Sequence, residues 1–171
     1  RTGPEVTVRA FTDGTTIVPM VASTDHKRAL DDDQGLNTGG MGAIAPSPYY
    51  TPETAVRCMD EIFVPTVRAM REEGRPFRGC LYFGLMLTQG GPKVIEYNCR
   101  FGDPEAQTVL PLLETDLLTI MEAVESGTLD AVDVRFSDAA SCCLMLVSGG
   151  YPGPYPTGKP ITVKKLPRGV T

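Results

Sequence analysis

The chain has 171 residues, with 16 basic and 21 acidic side chains and a net charge of −5. That length can bury a core and hold one domain or one and a half, and an acidic balance without any basic run leaves no electrostatic footprint for nucleic acid. No apolar stretch is long enough to span a bilayer, no signal-peptide pattern opens the chain, and five scattered cysteines form neither a disulfide framework nor a Cys-x-x-Cys zinc signature.

Glu5 to Phe11 and Thr15 to Val21 are β-rich runs joined by Asp13-Gly14, a hairpin signal. The polar, glycine-rich segment from Ser23 to Pro48 is expected as a long loop, and loops of that length are usually functional or disordered. Thr51 is placed as the N-cap of a helix with Pro52 at its first position. Val56, Met59, Ile62, Phe63, Val67 and Met70 follow as its core-facing stripe, Pro65 should bend it and Gly74 should end it.

Gly79 to Thr88 reads as a buried strand that turns at Gly90-Gly91 into a partner, Lys93 to Asn98. Pro104 to Glu125 is expected to be helical with a break at Pro111, a cap at Thr115 or Asp116 and an end at Gly127. A further strand is expected over Ala140 to Val147. Strand pairs alternating with helices predict an α+β architecture with an antiparallel or mixed sheet and packed helices. The domain boundary is placed so that residues 1–136 form one domain and 137–171 begin a small β-rich one. Arg1 in place of Met, and an end in Lys164-Lys165-Leu166-Pro167 without a clear finish, read as those of a fragment.

The densest chemistry lies in Val94-Ile95-Glu96-Tyr97-Asn98-Cys99-Arg100-Phe101-Gly102-Asp103-Pro104-Glu105. Residues two apart on a strand share a face, so Glu96, Asn98 and Arg100 are expected to project together. A carboxylate and a neutral oxygen donor suit Mg²⁺ held against nucleotide phosphates, and a neighbouring guanidinium suits phosphoryl oxygens. Spacing alone serves a solvated polar face equally well. In the long segment, Asp25-His26-Lys27-Arg28 could grip a zwitterionic or phosphorylated substrate or form a solvated charge cluster. Asn37-Thr38-Gly39-Gly40-Met41-Gly42 could form an anion-binding nest or a plain flexible loop. Asp31-Asp32-Asp33 is read as a solvated acidic turn, because it lacks the alternating ligands and closing Glu of an EF-hand. Gly-x-Ser-x-Gly, His-Glu-x-x-His and the Walker pattern are all missing from the sequence.

Taken in order and spacing, Asp25-His26-Lys27-Arg28, Asn37 to Gly42, Glu96 to Glu105 and Gly149-Gly150-Tyr151-Pro152-Gly153 resemble the phosphoribosylamine–glycine ligase (glycinamide ribonucleotide synthetase) family, over nearly the whole chain. Leu36 stands where that family usually has proline, and Arg1 to Glu5 match its usual Leu-x-Gly-x-Glu only in part. The resemblance implies an ATP-grasp enzyme of purine biosynthesis, located in the cytoplasm, that joins glycine to 5-phosphoribosylamine through a glycyl phosphate. ATP and Mg²⁺ (or Mn²⁺) are the implied cofactors. Glu96 and Asn98 would be the metal ligands and Arg100 the catalytic cation. Asp25, His26, Lys27, Asn37, Gly39, Gly40, Gly42 and Asp103 would line the substrate side. Residues 1–136 would then be the C-terminal part of the ATP-grasp domain, and the chain's partners would be the small-molecule substrates and the missing subdomains of the same polypeptide, with no nucleic acid and no membrane. The isolated fragment is expected to be inactive. Two alternatives stand beside this reading: another ATP-grasp ligase, and a non-catalytic nucleotide- or ligand-binding module.

Overall fold

Val6, Val8 and Ala10 alternate with Thr7 and Arg9, a pattern that suits a strand with two chemically distinct faces. In the computed structural model, which describes residues 2–170, that run is β1, Glu5–Thr12. Arg1 and Thr171, the outermost residues of the opening segment and the tail, lie outside the described residues. The chain turns at Asp13-Gly14, as expected, into β2, Ile17–Pro19. This strand is shorter than the sequence suggested, and it ends on a proline that has no N–H for the ladder.

The segment from Ser23 to Pro48 is not the open loop expected. It carries β3 (Thr24–Asp25), β4 (Arg28–Leu30), β5 (Gln34–Asn37) and β6 (Gly42–Ala45). Asp31 to Asp33 make the exposed turn between β4 and β5, and Asp32 and Asp33 adopt positive φ, which aspartate tolerates better than most residues. These strands escape a periodicity reading because they are two to four residues long and glycine-rich.

Thr51 caps α1 (Pro52–Cys58) by accepting the Thr54 N–H. A π-helical turn, Met59–Phe63, then leads into α2 (Val64–Glu72). Pro65 has no N–H to offer the carbonyl four residues back, and the wider turn accommodates it. The extra residue shifts the apolar stripe. Cys58, Ile62, Phe63 and Val67 are buried, whereas Val56, expected in the core, is 61% exposed. Gly74, at φ 72°, follows the helix end.

β7 (Gly79–Thr88) and β8 (Gly91–Asn98) form the expected hairpin. Before Pro111 the helix is only α3 (Ala106–Val109), followed by a 3₁₀ turn, Leu110–Leu112. α4 (Leu117–Ser126) is capped by Asp116, which accepts the Thr119 N–H at 2.8 Å, and it ends at left-handed Gly127. β9 (Ser141–Leu144) is the last strand, and the described residues beyond it contain only turns and irregular chain.

All the pairings are antiparallel: a four-stranded sheet in the order β2–β1–β7–β8, a three-stranded sheet β3–β6–β9 and the β4–β5 hairpin. The fold is therefore α+β, with the antiparallel option realised. Val6, Val8, Leu81, Phe83 and Leu85 pack one face of the main sheet against Cys58, Ile62 and Phe63, and the Phe63 and Phe83 rings lie 4.3 Å apart. On the opposite face only the Phe11 end is apolar, covered by Met20, Ala45, Val109, Leu112 and Ile120. The Thr7 end of that face is polar. Among the described residues no helix is long and apolar enough to cross a membrane.

Asp13 ties the hairpin to the helical layer. Its carboxylate accepts N–H groups from Thr15 (2.9 Å), Thr16 (2.7 Å) and Leu129 (3.2 Å). Burial pushes this carboxyl upward, but the backbone donors outweigh it and hold it below its ordinary 3.8. A depressed carboxylate stabilises the fold above its unfolded value and loses that contribution as pH falls through the folded one. Asp13→Ala should therefore cost about 2–3 kcal/mol at neutral pH in urea unfolding, with the deficit shrinking below pH 3.8. A deficit that stayed constant as pH falls well below 3.8 would refute this role.

Candidate functional site

Residues directly opposed in an antiparallel ladder lie on the same face. Thr7 opposes Gly84 and Arg9 opposes Tyr82, while on the next strand Gly84 opposes Glu96 and Tyr82 opposes Asn98. Thr7, Arg9, Tyr82, Glu96 and Asn98 consequently share the polar face. Val94 opposes Leu85 and belongs to the core face. In a regular strand Val94 and Glu96 would point the same way; a bulge that leaves Ile95 unpaired separates them. Gly84 gives Glu96 room, since a Cβ there would stand 3.0 Å from Glu96 Cγ. Arg100 lies beyond the end of β8, exposed, and donates from Nη1 to the Phe101 carbonyl at 2.9 Å.

Charged groups reach this face from the neighbouring segment. Thr7 and Ser23 exchange backbone hydrogen bonds of 2.8 and 2.9 Å, which delivers Asp25 and Lys27 to the Glu5 end of β1. Lys27 Nζ lies 3.5 Å from Glu5 and 3.9 Å from Asp25. Burial pushes the Asp25 carboxyl up, Lys27 pulls it back, and Glu105 and Glu5 push it further. Burial tends to lower Lys27, but Asp25, Glu5 and Glu96 outweigh it and raise the ammonium. Lys27 thus stands in the field of the predicted metal ligand. Glu5, Asp25, His26, Lys27, Asn37 and Tyr49 line a cavity of about 470 Å³.

The glycine-rich segment is held to the same wall. Thr38 donates to the Lys27 carbonyl and Met41 to the His26 carbonyl, each at 2.7 Å, and His26 donates to the Gly42 carbonyl at 2.9 Å. Gly40, at φ 126°, lies so close to the turn after β8 that a Cβ would overlap the Pro104 ring. A Cβ on Gly42 would likewise run into the Cys143 carbonyl of β9. Gly39 donates to the Tyr151 hydroxyl at 3.3 Å. Asp103 is exposed and accepts from Gln107 Nε2 at 2.5 Å.

Exposed Glu96 and half-buried Asn98 bring a carboxylate and an amide to one face, hard oxygen donors of the kind Mg²⁺ takes. Two such donors leave most of the metal shell to phosphate oxygens and water, so the residues fit the ion. Four further residues of this region went unassigned in the sequence reading: Arg9, Tyr82, Gly84 and Glu105. The signals for two of them were present. Gly84 interrupts an otherwise apolar strand, a mark of close approach, and Arg9 is a charge inside a buried run. Burial also pushes the Tyr82 hydroxyl up, and that hydroxyl shares a 3.0 Å hydrogen bond with Thr7.

Residues 1–106 match the family model described as phosphoribosylglycinamide synthetase, ATP-grasp (A) domain. The chain belongs to that family. Phosphoribosylamine–glycine ligase of Rhodopirellula baltica is 50% identical over 162 residues, 94% of this chain and 37% of that protein. A bifunctional purine biosynthetic protein of Schizosaccharomyces pombe is 49% identical over 164 residues, 96% of this chain and 21% of that protein. The crystal structure of phosphoribosylamine–glycine ligase from Thermotoga maritima superposes with a TM-score of 0.85 at 32% identity, over 95% of this chain and 41% of that one. The chain therefore spans between about a fifth and two fifths of these phosphoribosylglycinamide synthetase relatives.

Asp25 gives a pH signature opposite to that of Asp13. Its folded value is raised above 3.8, so the folded state binds the proton more tightly and stability falls as pH rises through that window. Asp25→Asn should match the wild type below pH 3.8 and exceed it in urea unfolding at neutral pH. Equal or lower stability at neutral pH would contradict a desolvated carboxylate at this position.

Proposed function

We propose that the polypeptide containing this chain joins glycine to 5-phosphoribosylamine at the expense of ATP, forming glycinamide ribonucleotide, ADP and phosphate. The observation that carries this reading is the shared face of Glu96 and Asn98, flanked by Lys27, Asp25 and the glycine-rich segment. In this reading Glu96 and Asn98 hold Mg²⁺, which when bound would neutralise nucleotide phosphates. Arg100, free on its exposed side beyond β8, steadies the phosphoryl group moving to the glycine carboxylate. The amine of the second substrate then attacks the acyl phosphate and expels phosphate. Asp25, His26, Lys27 and Asn37, around the 470 Å³ cavity, orient that substrate, and Gly39, Gly40, Gly42 and Asp103 close over it.

Catalysis of this kind is mainly positioning and charge neutralisation. It needs both walls of a cleft, and we assign the second wall, which covers the adenine, to subdomains outside these residues. We place the boundary between the ATP-grasp part and the following domain at residues 136 and 137, and the location in the cytoplasm. The chain by itself should show no turnover.

The deciding assay uses the full-length polypeptide with ATP, Mg²⁺, glycine and fresh 5-phosphoribosylamine. Glycine-dependent ADP release should fall by about 10² or more in Glu96→Ala and in Asn98→Ala, with folding intact by circular dichroism. A folded wild type without glycine-dependent turnover would refute the assignment, and unchanged rates in both variants would refute the metal role.

A further inference from the structure

The backbone N–H groups of Thr38 to Met41, in the segment proposed to close over the second substrate, are all occupied. Thr38 donates to the Lys27 carbonyl (2.7 Å), Gly40 to the Thr38 hydroxyl (3.0 Å) and Met41 to the His26 carbonyl (2.7 Å). Those acceptors lie just upstream in the chain. Gly39 turns elsewhere: its N–H donates at 3.3 Å to the phenol oxygen of Tyr151, 112 residues further on. The stretch therefore offers no row of free N–H groups to an anion. What it does at the site depends on how firmly it is held.

Tyr151 reaches Gly39 because β9 runs along β6. One residue past the end of β9, Met145 donates to the Met41 carbonyl at 3.0 Å, so the chain leaves the sheet beside the glycine-rich stretch. It then turns sharply. The Tyr151 N–H donates to the Ser148 carbonyl at 3.1 Å, and Gly150 adopts φ 102°, where a Cβ would stand 2.8 Å from the Pro154 carbonyl oxygen. The Tyr151 ring meets Tyr155 edge-on with centroids 5.8 Å apart. The turn and the second ring together set the place of the hydroxyl. Among the described residues beyond its chain neighbours, the Tyr151 oxygen, at 3.8 Å, is the one atom within 4 Å of where a Gly39 Cβ would stand. Ring packing explains an aromatic residue at position 151, but a phenylalanine would pack as well. The hydroxyl is what meets the main chain.

We infer that Tyr151 is a positioning residue: its hydroxyl, carried on the turn that follows β9, fixes Gly39 and with it the shape of Thr38 to Met41 on the substrate side. Without that bond a ligand has to order the stretch as it binds, which weakens affinity without touching the chemical step. The kinetic consequence rests on the proposed ligase reading; the mechanical one does not.

The test compares full-length wild type, Tyr151→Phe and Tyr155→Phe by amide-resolved hydrogen exchange with mass spectrometry and in the ligase assay. Tyr151→Phe keeps the ring and removes only the hydroxyl. It should speed exchange at Thr38, Gly39 and Gly40 about threefold or more, as the loss of one hydrogen bond allows, while β1 and β7 keep their protection. KM for 5-phosphoribosylamine should rise about threefold or more, with kcat and KM for ATP within about twofold of the wild type. Tyr155→Phe, which keeps the ring contact, should match the wild type in both measurements. Unchanged exchange over Thr38 to Gly40 in Tyr151→Phe overturns the inference. So does acceleration confined to Gly39, which would mean that the hydroxyl caps one N–H and holds nothing else. Equal loosening in Tyr155→Phe assigns the effect to packing of the turn and also overturns it, as does loosening with unchanged KM in an active enzyme. Loosening in Tyr151→Phe of a protein whose wild type shows no glycine-dependent turnover leaves the mechanical role standing and removes the ligase reading.

Discussion

The arrangement of the ligand face depends on one unpaired residue, Ile95. Upstream of it, β8 follows the core register, with Val94 against Leu85 over the helices. Downstream, the register is shifted by one, and Glu96 and Asn98 turn to the polar side opposite Gly84 and Tyr82. Because side chains alternate with a period of two, a single inserted residue exchanges every later side chain between faces. Without the bulge, either Val94 leaves the core or Glu96 enters it. The Glu96–Asn98 pair, the Lys27 field and the space over Gly84 all assume this shift.

Charge on that face alternates from the interior outward. Arg9 is fully buried and donates to Ser23, and further out Lys27 lies between Asp25 and Glu5. Asp25 and Lys27 each offset part of the other's desolvation, so removing either disturbs the other. The exposed end of this series is where ligand charge would be met. The buried end is where the scaffold is held.

The large elements were legible in the sequence because their signals were local. Thr51-Pro52 for a helix start, Asp13-Gly14 for a hairpin, Gly79 to Thr88 for a buried strand and Gly127 for a helix end each rest on a few adjacent residues. β4 and β5 were missed because their hairpin is too short to show a period, and β3 and β6 because their ladder runs through partners outside their own short runs. Val56 was misplaced because a π-helical turn shifts helical phase without leaving a motif beyond Pro65. At the site, Glu96 and Asn98 could be read together from their spacing. The burial of Arg9 and of Glu105 could not be read, since each depends on elements distant in sequence that pack over it.

β6 has consequences for how the protein matures. It lies between β3 and β9, so the strand that ends the glycine-rich segment borrows one neighbour from just before it and the other from about a hundred residues later. Contacts so distant in sequence form late. On the ribosome, β1 and β2 can pair as soon as they emerge, and β7 and β8 can join them, yet β6 remains half-edged until Leu144 leaves the exit tunnel. The scaffold of the sheet is then in place well before the segment that closes its ligand face, and for that interval a nascent chain exposes an unpaired edge of the kind on which chaperones act.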